Sequence, residues 1–248
     1  RAIPATLVIS HPYFFSRFLD AAGGEMLQEN FRRHGIEVVV RDRLAAIEGR
    51  DAVRGVRLAG GRAIECDLVG AGVGLGRNTA WLASSGLECT PQGVAADECL
   101  QTRVPGIFAA GDMADFQDAV LGFRHTHGNW GNSFRQGELA GRNMASPAPP
   151  EPYRSVTSYG IRNLGYHIAL VGYVAGGPGI DAVSRLDPAG ASYARFFVRE
   201  HRLVGASLIN RHEDRPAITA LIRDGVPIGE AERAGLADFT VDIASFVP

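Results

Sequence analysis

The run Val104-Pro-Gly-Ile-Phe-Ala-Ala-Gly-Asp112 constrains this chain more than any other stretch. Its apolar centre, Gly106-Ile107-Phe108-Ala109-Ala110, predicts a short buried strand that ends on a glycine followed at once by an aspartate. A strand that only fills a core requires neither. Gly111 has no Cβ, so another molecule can approach the backbone closely there. Asp112 can then accept hydrogen bonds from a ligand's hydroxyl groups. In open α/β folds, nucleotides bind at the carboxyl ends of parallel strands. The pattern points to an α/β protein whose ligand is a nucleotide or carries a polyol chain.

Other elements can be placed around that run. Thr6 to Ile9 reads as a strand, and Asp20 can cap a helix running through Leu27 and Phe31 to Arg33, with Gly35 at the C′ position. Ile36 to Val40 reads as the next strand, which gives residues 6–40 a β-α-β character. Val53 to Leu58, the Gly60-Gly61 turn and residues 62–69 predict an antiparallel hairpin. Asp67 to Gly74 predicts an apolar strand running into a glycine-rich loop, and residues 129–144 predict a helix. Trp130, Phe134, Gly137, Ala140, Gly141 and Met144 recur at three- and four-residue steps, so they form its expected apolar face. Residues 145–152 are proline-rich and read as a semi-rigid linker. Beyond it, strands over 166–174, 192–199 and 203–210, with a helix near 214–224 opened by His212-Glu213-Asp214, predict a separate α+β unit.

Composition narrows the function classes. The 248 residues suit one large or two modest domains. Lys+Arg 25 against Asp+Glu 27, net charge −2, leaves no basic footprint for nucleic acid. No apolar run approaches the ~20 residues of a membrane helix. The opening RAIPATLVIS lacks the basic head and cleavage site of a secretory signal. Cys66, Cys89 and Cys99 form no CxxC pair, which suits a reducing compartment, so a cytoplasmic location is expected. The chain starts on Arg1 and enters a strand within five residues with nothing upstream to pair with it; a fragment is expected.

Several motifs invite chemistry without supplying it. GAGVGLGRNT, residues 70–79, fails the dinucleotide fingerprint: counting from Gly70 the third glycine position holds Leu75, and from Gly72 it holds Arg77. It reads as a glycine-rich turn. His125 and His127 would share one face of a strand, but no third metal ligand at a suitable spacing lies nearby, so an ordinary polar loop is expected. No GxSxG elbow is present, which sets a hydrolase triad aside. The helix at 129–144 could direct its amino-terminal N–H groups at an electron-rich ligand atom.

The ordered pieces TLVI, SRFLD, RRHGIEV, GVRLAGGRAIECDLVGAGVGLGRNTAWLASSGLE, LQTRVPGIFAAGDMAD and NWGNSFRQGELAGRNM resemble the second half of FAD-dependent pyridine-nucleotide oxidoreductases. The branch they resemble most is the ferredoxin- and rubredoxin-reductase type. PYRSV and the stretch from RLDPAGASYARFF to DGVPI are similar to that branch's carboxyl-terminal reductase domain. The resemblance covers nearly the whole chain.

It implies an α/β fold of partial NAD(P)- and FAD-binding Rossmann-like domains, of the three-layer ββα type, followed by an α+β reductase domain. Residues 1–95 would be the carboxyl-terminal part of the NAD(P) domain, 96–148 the returning segment of the FAD domain, and 153–248 the interface domain. The cofactors implied are FAD and NAD(P)H, with hydride passing from nicotinamide to flavin and electrons onward to an acceptor such as ferredoxin or rubredoxin. A homodimer is one expected assembly. Gly111 and Asp112 would meet the ribityl chain, with Asn129 and Trp130 at the helix start beside the flavin's pyrimidine edge. Val73 and Gly74 would lie near the nicotinamide half of NAD(P).

The sequence also departs from the family. Where the second NAD-domain strand usually ends in a ribose-reading acid, this chain has Ile9, then Ser10 and His11, so Ser10 is carried as the nucleotide contact and NADH against NADPH stays open. After PYRSV, TSYGIRNLGYH replaces the branch's aromatic-acidic run. The alternative to a flavoenzyme is a non-catalytic remnant or partner-binding module.

Overall fold

The computed structural model describes residues 3–82, 84–187, 189–190 and 192–248. Strand β1 (Ala5–Val8), helix α1 (Ala21–Arg33) and strand β2 (Ile36–Val39) form the expected β-α-β unit, with β1 and β2 parallel from Ala5↔Ile36 to Val8↔Val39. Local chemistry sets both ends of α1. The Asp20 side chain accepts the Gly23 N–H at 3.2 Å, and Gly35 takes φ +76° just past the last turn, its N–H bonded to the Arg32 carbonyl. Leu27 and Phe31 on this helix, with Leu19, pack on Ile168, Tyr193 and Ile209 of the carboxyl-terminal sheet.

Next comes a meander of β3 (Leu44–Gly49), β4 (Val53–Leu58) and β5 (Ala63–Glu65), in that spatial order. The β4–β5 hairpin matches expectation, and β3 adds a strand that the sequence did not announce. The strand expected over 67–74 does not form. Residues 68–79 have no regular structure, and Leu68, Val73 and Leu75 are exposed. A strand exists only where a neighbour accepts its backbone hydrogen bonds, and among the described residues none lies beside this segment.

The middle sheet has the order β6 (Cys89–Thr90), β7 (Gly93–Ala96), β8 (Ala114–Gln117), β9 (Arg124–His125), with β7 and β8 parallel. The strand expected at 106–110 is also corrected. That run contributes only an isolated bridge, Gln101↔Phe108, and leads into a single 3₁₀ turn at Gly111–Met113. The parallel strand of this region is β8, immediately beyond the Gly-Asp pair.

Helix α2 (Trp130–Ala145) packs Leu139 and Ala140 against Val94, Leu100, Ala114 and Phe116. The proline-rich segment after it is held in place: Asn143 exchanges two hydrogen bonds with the Glu151 backbone, and Tyr153 N–H bonds to the Glu98 carbonyl. The last unit is an antiparallel sheet of β10 (Ser158–Asn163), β11 (Tyr166–Gly172), β12 (Ile180–Leu186), β13 (Tyr193–Arg199) and β14 (Arg202–Ile209), in the order β10-β11-β14-β13-β12. Helices α3 (Arg215–Arg223) and α4 (Glu230–Ala237) supply Ile218, Leu221, Ile222 and Leu236 to the core on one side of that sheet. Among the described residues no helix is long and apolar enough to cross a membrane.

Candidate functional site

The site grows from the start of α2. Asn129 caps it: its Oδ1 accepts the Asn132 N–H at 2.9 Å, while its Nδ2 donates to Thr157 Oγ1 at 2.8 Å. The inward face of α2 is mostly polar, and this corrects the expected apolar face. Asn132, Gln136, Leu139, Ala140 and Asn143 are buried, whereas Trp130 is 87% exposed and Phe134 66%. The inward amide oxygens have specific partners, whereas Gln136 Nε2 has none among the described residues. Tyr153 donates its hydroxyl to Asn132 Oδ1 at 2.9 Å, and Gly111 donates its N–H to Gln136 Oε1 at 2.8 Å.

The Gly-Asp pair sits on that face. Gly111 has φ +76°, and a Cβ there would lie 3.2 Å from the Ser133 Cβ and Oγ. Its close approach is therefore to α2 itself. Ser133 Oγ donates to Asp112 Oδ1 at 3.0 Å, and no hydrogen bond ends on Asp112 Oδ2 among the described residues. Arg77, at the end of the glycine-rich loop, donates to the Asp112 carbonyl at 2.6 Å and to Thr126 Oγ1 at 3.1 Å.

Gly111, Asp112, Asn129 and Trp130 thus converge on one helix start. Val73, Gly74 and Ser10 are exposed, and among the described residues no hydrogen bond or ring contact joins them to that group. Gly74, at φ +95°, turns the loop. Sequence reasoning missed Ser133 and Gln136, although Asn129, Ser133 and Gln136 at steps of four and three mark one helix face. It also missed Arg77, which no local pattern announces.

A second cluster lies where β8 turns into β9. Asp118 Oδ1 accepts the N–H groups of Val120 and Leu121 at 2.7 and 2.9 Å, and its Oδ2 lies 2.9 Å from His125 Nε2. Burial alone would raise this carboxyl, but the hydrogen bond and charge of His125 and the two loop N–H groups hold it below the usual aspartate value. His125 and His127 do share a face, their rings meeting edge-to-face at 4.2 Å. Burial, then the neighbouring His125, pushes the His127 imidazole down to about 3. The expectation that no third ligand lies nearby is corrected: the turn returns Asp118 to the histidines, although it lies seven positions before His125.

Residues 3–137 match the family model described as pyridine nucleotide-disulphide oxidoreductase. The chain is 29% identical over 223 residues to the 5,5'-dehydrodivanillate O-demethylase ferredoxin reductase subunit of a Sphingobium species, covering 88% of this chain and 52% of that protein. It is 25% identical over 226 residues to the nitrite reductase [NAD(P)H] of Bacillus subtilis, covering 91% of this chain and 27% of that protein. In fold it matches a chain of a covalent putidaredoxin reductase–putidaredoxin complex, with TM-score 0.85 at 20% identity over 99% of this chain and 58% of that one. The chain spans about a quarter to half the length of these curated relatives.

Proposed function

Because this chain belongs to the pyridine nucleotide-disulphide oxidoreductase family, whose cofactors are FAD and NAD(P)H, we propose that it carries part of the flavin site of an FAD-dependent NAD(P)H oxidoreductase. The observation behind this reading is the Gly111-Asp112 turn held against the start of α2. In it, residues 1–95 belong to the NAD(P) domain, 96–148 to the FAD domain and 153–248 to the reductase domain.

The residues present suit the group. Asp112 offers a carboxylate oxygen with no partner among the described residues, which a sugar-alcohol hydroxyl can meet. Ser133 and Arg77 hold that aspartate at its carboxylate and at its carbonyl, respectively. The first N–H groups of α2, beside Asn129 and Trp130, carry the positive end of the helix dipole and suit an electron-rich ring edge. Bound FAD would supply the redox chemistry, accepting hydride from NAD(P)H and passing electrons on. No side chain of this chain need donate a proton; its residues orient the cofactor and balance charge. Val73, Gly74 and Ser10 are assigned to the nucleotide side. The similarity to ferredoxin-reductase components favours a small redox protein as acceptor, such as a ferredoxin or rubredoxin.

The test is an absorbance and fluorescence titration with FAD of the wild-type chain and of Asp112→Ala. Saturable binding that weakens at least tenfold in a folded Asp112→Ala supports the reading. Equal affinity in both, or no binding to folded wild type, counts against it.

A further inference from the structure

We propose that Asp118, His125 and His127 form a binding site for one divalent transition-metal ion of the zinc type, separate from the Gly111-Asp112 turn. One carboxylate oxygen and one nitrogen from each imidazole lie within 4.8 Å of one another. In a tetrahedral zinc site with bonds of about 2.0–2.1 Å, ligand atoms stand about 3.3 Å apart. The Asp118 Oδ2–His125 Nε2 edge is 2.9 Å, so it opens by about 0.4 Å, while His127 closes by at most about 1.5 Å. Two imidazoles and one carboxylate are a donor set that borderline divalent metals take, leaving a position for water.

The open ligand position of the cluster is at His127. No hydrogen bond reaches either ring nitrogen of His127 among the described residues.

The surroundings fix the ligands in the way metal sites require. Two loop N–H groups hold Asp118 through the oxygen that the ion would not use. Phe116, Phe123 and Tyr173 confine the His125 ring at centroid distances of 5.0 to 5.4 Å. The chain leads from His127 directly to the α2 cap, and the His127 carbonyl accepts from Asn132 Nδ2 at 3.4 Å. An ion here would brace the start of α2.

The experiment is titration of the purified, chelator-stripped chain with Zn²⁺ alone, and separately with Co²⁺ followed by visible absorption. The variants are His127→Ala, Asp118→Asn and His212→Ala, each checked by far-UV circular dichroism. Asp118→Asn keeps an oxygen for the loop N–H groups, so it tests ligation without undoing the turn. His212→Ala removes the other histidine pair, His167 with His212, as a competing surface site. The expected result is one equivalent bound, ligand-field bands from bound Co²⁺, at least tenfold weaker binding in His127→Ala and Asp118→Asn, and no change in His212→Ala. Absence of saturable binding by folded wild type overturns the proposal. So does affinity that survives both ligand substitutions, or that is lost in His212→Ala.

Discussion

The side-chain carbonyl of Gln136 accepts the backbone N–H of Gly111 at 2.8 Å, with both residues buried. The contact sets where Asp112 stands relative to the start of α2, because Gly111 and Asp112 are consecutive and Gln136 lies on a rigid helix. Replacing the amide by an apolar group of similar size, Gln136→Leu, leaves a buried N–H unpaired, at a cost of about 1–3 kcal/mol. Urea unfolding measures it. In the proposed flavin site the same change loosens Asp112, so FAD affinity falls with stability. A variant as stable as wild type would mean that Gly111 finds water or another acceptor.

Gly111 and Gly35 make a matched pair for separating backbone strain from crowding. Both have φ +76°, but a Cβ on Gly35 meets nothing within 4 Å, whereas one on Gly111 lies 3.2 Å from Ser133. Gly35→Ala is expected to cost about 1 kcal/mol through the left-handed backbone alone. Gly111→Ala adds crowding against α2 and should cost roughly 1–3 kcal/mol more. It also presses on Ser133, the residue that donates to Asp112. Only Gly111→Ala is expected to weaken FAD binding, and equal losses in both variants would remove the link between this glycine and the site.

These contacts explain what could be read from the sequence and what could not. Both ends of α1 and the start of α2 were legible because Asp20, Gly35 and Asn129 act on backbone groups a few residues away. The inner face of α2 was not, because Asn132, Gln136 and Asn143 look like surface residues. They become interior only through Tyr153, Gly111 and Glu151, which are distant or across a turn. The apolar runs at 67–74 and 106–110 have strand composition, yet periodicity does not reveal whether a neighbour is present to accept their hydrogen bonds. Asp118 escaped notice for a related reason. Its closeness to His125 is made by the chain's return between β8 and β9, and no ligand-spacing rule encodes that return.

Tyr193 ties the first β-α-β unit to the carboxyl-terminal sheet and should control alkaline stability. Its ring fills the space above Gly23, and its hydroxyl lies 3.2 Å from Ser184 Oγ and accepts the Asp20 N–H at 3.5 Å. Burial pushes its phenol well above the usual tyrosine value, with the Asp20 carboxylate adding to the shift. A group whose folded pKa is raised contributes stability that is complete below its unfolded pKa, about 10, and that fades as pH rises beyond it. Wild type should therefore lose on the order of 1.4 kcal/mol per pH unit above about pH 10 from this residue alone. Tyr193→Phe should be about 1 kcal/mol less stable at neutral pH and show a flatter alkaline limb. Urea midpoints from about pH 9 to 11 decide it, and parallel curves for the two proteins would exclude this role.

Trp130 separates a structural reading of α2 from a ligand-facing one. At 87% exposure it buries almost nothing, so Trp130→Ala should change stability by no more than about 0.5 kcal/mol. If the start of α2 faces the flavin, the indole lies beside it and its emission should fall as FAD binds. The chain has only one other tryptophan, Trp81, also exposed, so Trp81→Phe isolates the signal. In that background, Trp130 quenching should saturate at the same FAD concentration as the flavin absorbance change and weaken with it in Asp112→Ala. Binding seen in absorbance without any change in Trp130 emission would place the flavin away from this helix start.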